Sequence, residues 1–138
     1  IHPRDKTTVA NRLVRLALAN DYGYPIDALS PRYASMQLKD SAIALTFDHV
    51  SRQGLYSFDV KQPIGFSIAG ADQVFVQADA KIIGKNKVHV SNANVSSPVA
   101  VRYAWANNPK ARRRARNELP VTPFRTDDWL GITANAVK

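Results

Sequence analysis

The sequence predicts a mainly β protein, in which one N-terminal α-helix is followed by an antiparallel β-sandwich. Two observations support this class. Apolar residues have helical spacing only within residues 1–25, and from Ser30 onward they alternate with polar residues as they do in strands. The alternating runs are short and are separated by turn residues, which is typical of a sandwich.

The helix is expected over residues 5–23. Asp5 or Thr7 can cap its first turn through a side-chain oxygen, Gly23 can adopt the left-handed conformation that ends a helix, and Pro25 prevents its continuation. One helix cannot bury its own apolar stripe, so we expect the stripe to be exposed in this chain or to contact a neighbouring domain. The stripe consists of Val9, Leu13, Leu16 and Ala17.

Seven runs of apolar alternation follow the helix, and a strand is expected at each: 34–38, 43–47, 54–58, 66–68, 74–83, 88–90 and 99–105. Turns are expected at Lys39-Asp40 and at 84–87. Pro98 introduces the last run, whose apolar residues are expected to share one face. They are Val99, Val101, Tyr103 and Trp105.

The sequence after Trp105 loses this alternation. Residues 119–129 are expected to be an extended segment that lies on a surface through Phe124 and Trp129, and residues 130–138 a frayed terminus.

The net charge of +8 is unusual, with 19 basic and 11 acidic residues. Five of the basic residues lie in 110–116, and without that run the net charge falls to about +3. The basic character is therefore local, which argues against a dedicated nucleic-acid binder. We interpret the run as a solvated loop, with contact to an anionic glycan or a phosphate backbone as the functional alternative.

Several classes of site have no counterpart in the sequence. Without cysteine there are no disulfides and no thiolate metal sites. No apolar run approaches the roughly 20 residues that span a bilayer, and no signal peptide is expected. The chain has no G-x-S-x-G element, no Gly-rich phosphate loop and no histidine pair with the spacing of metal ligands. Neither a metal nor a cofactor is expected.

Three histidines are available for catalysis. His49 follows a predicted strand and His89 lies within one, and both are expected to be ordinary exposed residues. His2 differs because it stands in a short loop, braced by Pro3 and followed by the helix, where a catalytic base is often placed. The residues alone leave two interpretations of His2, a catalytic base or a terminal histidine without a role.

Four segments of the chain resemble the sialate O-acetylesterases, which are carbohydrate esterases of the SGNH-hydrolase type. They are residues 1–6 (IHPRDK), 65–72 (GFSIAGAD), 101–109 (VRYAWANNP) and 123–129 (PFRTDDW). The resemblance extends in order over nearly the whole chain.

This resemblance implies a role for His2 as the catalytic histidine. The imidazole would deprotonate a serine that attacks the O-acetyl carbonyl, then protonate the leaving sugar oxygen, and later activate water. The serine and the oxyanion-hole donors are expected on preceding sequence, so the isolated chain is expected to be inactive. The family also implies an extracytoplasmic location, which is periplasmic, secreted or lysosomal.

The resemblance further implies three parts of the chain. Residues 1–25 would be the end of an α/β/α esterase domain that is mostly absent here, residues 30–129 an accessory sandwich, and residues 130–138 a tail. Arg102 and Arg125 lie within the resembling segments and are candidates for binding the carboxylate of sialic acid. A structural role, in which they hold carbonyl groups or Asp127 and Asp128, is the interpretation we favour.

We therefore expect part of an esterase that removes O-acetyl groups from sialic acid. Its partners would be the remaining N-terminal part of the enzyme and an acetylated glycan, with no nucleic acid and no membrane span. Two alternatives remain from the sequence: a non-catalytic carbohydrate-binding sandwich, and a nucleic-acid-binding module built on 110–116.

Overall fold

The structure is a computed structural model that describes residues 5–57, 62–107, 113–115 and 119–131. For residues 113–115 it describes the backbone alone. One helix precedes the strands. The elements are α1 (Lys6–Asn20), β1 (Arg32–Lys39), β2 (Ala42–Asp48), β3 (Leu55–Ser57), β4 (Phe66–Ala69), β5 (Val76–Gln77), β6 (Asp79–Ile83), β7 (Lys87–Ser91), β8 (Ala100–Tyr103), β9 (Arg113–Ala115) and β10 (Phe124–Arg125).

Helix α1 begins at the cap that the sequence offers at Asp5. The backbone amide of Thr8 donates to the Asp5 carboxylate at 3.0 Å, which satisfies one of the amides that the first turn leaves without a partner. The helix ends at Asn20, three residues before the expected end. Gly23 then has φ of 69°, as expected, and the amide of Tyr24 donates to the carbonyl of Leu18 at 2.9 Å.

The apolar stripe of α1 is not covered by the sandwich. None of the helical residues is buried, and Val9 and Leu13 are 43% and 61% exposed. The expected exposure is therefore confirmed for Val9 and Leu13, whereas Leu16 and Ala17 of the stripe are half-buried.

The strands form two four-stranded antiparallel sheets and one small two-stranded sheet. Their strand orders are β1-β2-β7-β6, β10-β8-β4-β5 and β3-β9. Inward-facing residues of both large sheets belong to one hydrophobic core, so the sheets form the expected sandwich. From the first sheet the core takes Ile43, Leu45, Phe47, Ala80, Val88 and Val90, and from the second Phe66, Ile68, Val101, Tyr103 and Phe124.

The segment from Val76 to Ile83 contributes to both large sheets. It was expected to be one strand, but it is divided at Ala78: β5 pairs with β4, and β6 pairs with β7. The Ala78 amide donates to the carbonyl of Phe66 at 3.0 Å, which keeps this crossing point on the second sheet. The division is a finding that period-two alternation cannot show, because the alternation continues through it.

The first sheet refines two expectations. Met36 and Leu38 lie opposite the buried Leu45 and Ile43 and therefore share their face, but both stay exposed, because β1 is the edge strand of the sheet. Lys39 still pairs with Ala42, so the hairpin turn lies one residue later than expected.

Part of the basic run is also corrected. The run was expected to be a loop, but Arg113–Ala115 form β9 and pair with β3. This pairing joins two segments that are distant in sequence, so the local pattern of charges does not indicate it.

Candidate functional site

Strands β8 and β10 place two arginines side by side on the outer face of the second sheet. Val101 and Tyr103 are buried, so alternation turns Arg102, which lies between them, away from the core. Arg125 of β10 is its partner in the ladder. Two like charges at opposed positions repel each other, so the pair requires a carboxylate nearby.

Asp127 supplies this carboxylate. Arg102 Nε donates to Oδ2 at 2.9 Å and its Nη2 donates to Oδ1 at 2.7 Å, which is the bidentate geometry of a strong guanidinium–carboxylate pair. The Asp127 side chain is 1% exposed, and Nη1 of Arg125 lies 3.9 Å from the same carboxylate. One buried negative charge thus serves two arginines.

The pair perturbs the titration of both of its members. The hydrogen bonds from Arg102 lower the pKa of Asp127, and they outweigh the opposing effect of burial. The same hydrogen bonds raise the pKa of Arg102. Both groups are therefore charged at neutral pH.

Aromatic rings complete the surroundings of Arg102. Its Cζ lies 4.0 Å from the centre of the Phe75 ring, a cation–π contact, and the Phe75 and Trp129 rings have centroids 5.6 Å apart. With Asp127 at one edge and Phe75 on a face, Arg102 holds the fold together rather than facing a ligand.

The segment that carries Asp127 is fixed by further hydrogen bonds. The Val101 amide donates to the hydroxyl of Thr126 at 2.9 Å, and the Thr126 amide donates to the carbonyl of Val101 at 3.0 Å. Nη1 of Arg125 donates to the carbonyl of Trp129 at 2.9 Å. Each arginine thus makes a contact of the kind that the structural interpretation expects: Arg102 holds Asp127, and Arg125 holds a carbonyl.

An open cleft of about 700 Å³ lies beside this network. Trp105 is 53% exposed and Arg125 forms part of the same wall, with its Cζ 5.7 Å from the centre of the indole. The lining residues are Arg102, Ala104, Trp105, Ala106, Asn107, Pro123, Arg125 and Gly131. This geometry can bind a polar ring, and the described residues that line it include no nucleophile.

The expected catalytic residue His2 lies outside the described residues. His49 is exposed, has φ of 56° and follows β2. His89 is half-buried on β7, between Ala44 and Lys81 in the ladder. Neither histidine lies in the cleft, and the described part of the chain contains no group of three side chains that could hold a metal ion.

Two features of the site were not predicted. Trp105 was expected to share the buried face of Tyr103, but Ala104 has φ of 52° and turns the chain, so Trp105 faces solvent. Phe75 precedes β5 without an alternating pattern, and no local signal links it to Arg102. Of the charged run at 110–116, the side chains lie outside the described residues. No helix of the described chain is long and apolar enough to cross a membrane.

Fold and site together define an antiparallel β-sandwich with an exposed N-terminal helix and a guanidinium–carboxylate network beside an aromatic cleft. This architecture is similar to part of a crystal structure of a carbohydrate acetylesterase from Xanthomonas citri, with a TM-score of 0.87 and 38% sequence identity. The match covers 93% of this chain and 29% of that one, so this chain spans less than a third of its neighbour's length. No protein-family model and no curated protein matches the sequence.

Proposed function

We propose that this chain is part of a carbohydrate esterase that removes O-acetyl groups from a glycan. The observation that carries the proposal is the similarity to the Xanthomonas citri acetylesterase, which extends over 93% of this chain at 38% identity. A likeness in fold alone would not support an activity, since one fold hosts many functions. Here the identity and the near-complete coverage of this chain add to the likeness in fold.

The proposed mechanism is acyl transfer between a serine and His2. The imidazole of His2 accepts the proton of the serine hydroxyl as that oxygen attacks the acetyl carbonyl. It then protonates the departing sugar oxygen, and in the second half-reaction it takes a proton from the water that releases acetate. The serine belongs to the remaining part of the esterase, and the proposed sugar is sialic acid.

The proposed organisation assigns residues 1–25 to the esterase domain, residues 30–129 to an accessory sandwich and residues 130–138 to a tail. The exposed stripe of α1 supports this division. Val9 and Leu13 are 43% and 61% exposed, and burial of such side chains typically contributes about 2 kcal/mol each. The remaining part of the esterase is the surface that we propose to cover them.

The test joins this chain to the preceding esterase sequence and compares His2→Ala with the unaltered protein. The readout is acetate release from O-acetylated sialic acid and from an acetylated neutral oligosaccharide. Loss of the catalytic histidine should lower kcat by about 10⁴-fold or more, with a smaller change in KM. His49→Ala is the matched control, since this histidine is exposed and lies outside the cleft, and it should retain full activity.

Retention of full activity in His2→Ala would refute the catalytic role. Activity on the neutral substrate alone would support the esterase activity but refute sialic acid as the substrate.

A further inference from the structure

The exposure of Trp105 is imposed by the backbone rather than by strand alternation. Tyr103 is 2% exposed, and Trp105, two residues later, would lie on the same face of a continued strand. Ala104 instead adopts φ of 52°, and its amide donates to the carbonyl of Gly65 at 2.9 Å. This hydrogen bond holds the turn and directs the indole away from the core.

Such an arrangement is unfavourable for folding alone. A left-handed conformation at a residue other than glycine costs roughly 1–2 kcal/mol, and an indole left half-exposed forgoes part of the roughly 2–3 kcal/mol that burial of a large apolar side chain provides. Backbone strain of this kind is concentrated at ligand-binding sites. The backbone conformation of Ala104 therefore suggests that the exposed indole of Trp105 binds a ligand.

The charges around Trp105 define what can bind there. Arg102 and Asp127 neutralise each other in their two-pronged pair. Nη1 of Arg125 donates to the Trp129 carbonyl, and its Nε and Nη2 donate to none of the described residues. Its side chain is 33% exposed in the wall of the cleft. The cleft thus offers an apolar ring face beside the Nε and Nη2 donors of Arg125, and the two arginines and Asp127 together carry one net positive charge.

We propose that this cleft is a saccharide-binding subsite that takes one pyranose ring of a glycan. The C–H face of the sugar packs on the indole of Trp105, and its hydroxyl or carboxylate oxygens accept hydrogen bonds from Arg125. The cleft is within the usual size range of small-molecule sites, and its open form admits a unit within a longer chain. The inference rests on the proposed function only for the class of ligand.

The subsite differs from the esterase centre because its described lining residues include no nucleophile and no histidine. It would hold the glycan while another part of the enzyme removes the acetyl group. A carboxylated sugar would form an ion pair with Arg125, whereas a neutral sugar would form hydrogen bonds alone, so the two kinds of glycan can be distinguished by experiment.

The test uses the two tryptophans of the chain as reporters. The indole N–H signals of Trp105 and Trp129 are followed by NMR in the complete chain and assigned with Trp105→Phe. Three probes are titrated: cellohexaose, tri-galacturonic acid and 3′-sialyllactose. We expect a saturable shift of the Trp105 signal with a Kd on the order of 1 mM, and little movement of Trp129.

Two variants distinguish binding at the subsite from non-specific binding of the probes to exposed aromatic rings. Trp105→Ala should weaken binding at least about tenfold, whereas Tyr22→Ala, which removes an aromatic ring that is 73% exposed, should have no effect. Arg125→Gln should abolish any preference for the acidic probes. Because Arg125 also holds Trp129, the fold of this variant is checked by its remaining amide spectrum.

A Trp105 signal that stays in place with every probe would overturn the proposal. So would binding that survives Trp105→Ala, or an indole that is shielded from solvent by the rest of the esterase in the joined protein. Acetate release is measured separately in that protein, so failure of the subsite and failure of the esterase assignment give different results.

Discussion

The guanidinium of Arg102 donates two hydrogen bonds, at 2.9 and 2.7 Å, to the carboxylate of Asp127, which lies 25 positions later in the sequence. The pair joins the outer face of β8 to the segment that follows β10. It fixes the wall of the cleft that contains Arg125, and it does so with a carboxylate that solvent barely reaches.

Removal of this carboxylate should destabilise the sandwich. Asp127→Ala leaves Arg102 without its partner and brings the two neighbouring arginines into uncompensated repulsion. We expect a loss of about 3 kcal/mol in the free energy of unfolding, measured by urea denaturation. Asp128→Ala is the matched control, because this neighbouring carboxylate is exposed, and its effect should stay within about 0.5 kcal/mol. Equal effects of the two variants would contradict the role assigned to Asp127.

The same pair predicts a pH dependence. The pKa of Asp127 lies below its usual value of 3.8 in the folded protein, so the unfolded state takes up a proton first as the pH falls. The stability that Asp127 provides is complete above that value and is lost as the pH falls through the lower, folded pKa. The difference in unfolding free energy between the unaltered protein and Asp127→Asn should therefore be constant near neutral pH and shrink below about pH 4. An increase of this free-energy difference at acid pH would contradict the lowered pKa of Asp127.

Phe124 should be among the most sensitive positions of the core. It is 8% exposed, and its ring meets four other aromatic rings with centroid distances from 4.9 to 6.4 Å. We expect Phe124→Ala to cost about 3–5 kcal/mol in unfolding free energy, since it removes the ring and leaves a cavity. Leu130→Ala, at a side chain that is 83% exposed, should have almost no effect. The four rings are Tyr33, Phe47, Phe66 and Tyr103.

Two glycines with similar backbone angles should respond differently to alanine. Gly54 has φ of 85°, and a Cβ there would lie 3.1 Å from the carbonyl oxygen of Lys85. Gly84 has φ of 67° with open space around it. Gly84→Ala should cost about 1–2 kcal/mol through its backbone angle alone, and Gly54→Ala should cost more, because the Cβ also crowds the neighbouring loop. Thermal unfolding of the two variants tests this order.

Helix α1 should be weakly protected in this chain alone. It has 15 residues and none of them is buried, and helices of that length are marginal in water without tertiary contacts. We expect its amides to exchange hydrogen much faster than those of β2 and β7, and to become protected when the preceding esterase sequence is joined. Strong protection in the isolated chain would show that the stripe of Val9 and Leu13 is covered without that sequence.

The strands that sequence alternation predicted well are those buried in the middle of the sheets. In β2 and β7, Leu45 faces Val88 and Ile43 faces Val90 across the ladder, and all four are fully buried, so the pattern along each strand reflects the core directly. The edge strand β1 forms where it was expected and Met36 lies opposite the buried Leu45, but Met36 stays exposed because β1 has no second neighbour in the sheet.

The sequence indicated one part of the arginine network and not another. Arg102, Arg125 and Asp127 lie in the segments that resemble the esterase family. Because carboxylates commonly pair with guanidinium groups, a contact between them could be expected. Phe75 and the direction of Trp105 depend on contacts between distant segments and on one backbone angle at Ala104, and neither leaves a periodic signal. His2 stays a prediction.

The crossing of the chain at Ala78 links the outer margins of the two large sheets. Val76–Gln77 form the last strand of one sheet and Asp79–Ile83 the last strand of the other, with one residue between them. Separation of β5 from its sheet therefore disturbs β6 in the other sheet, and the reverse also holds. The sandwich should open as a single cooperative unit, with β5 and β6 exchanging their amide hydrogens together.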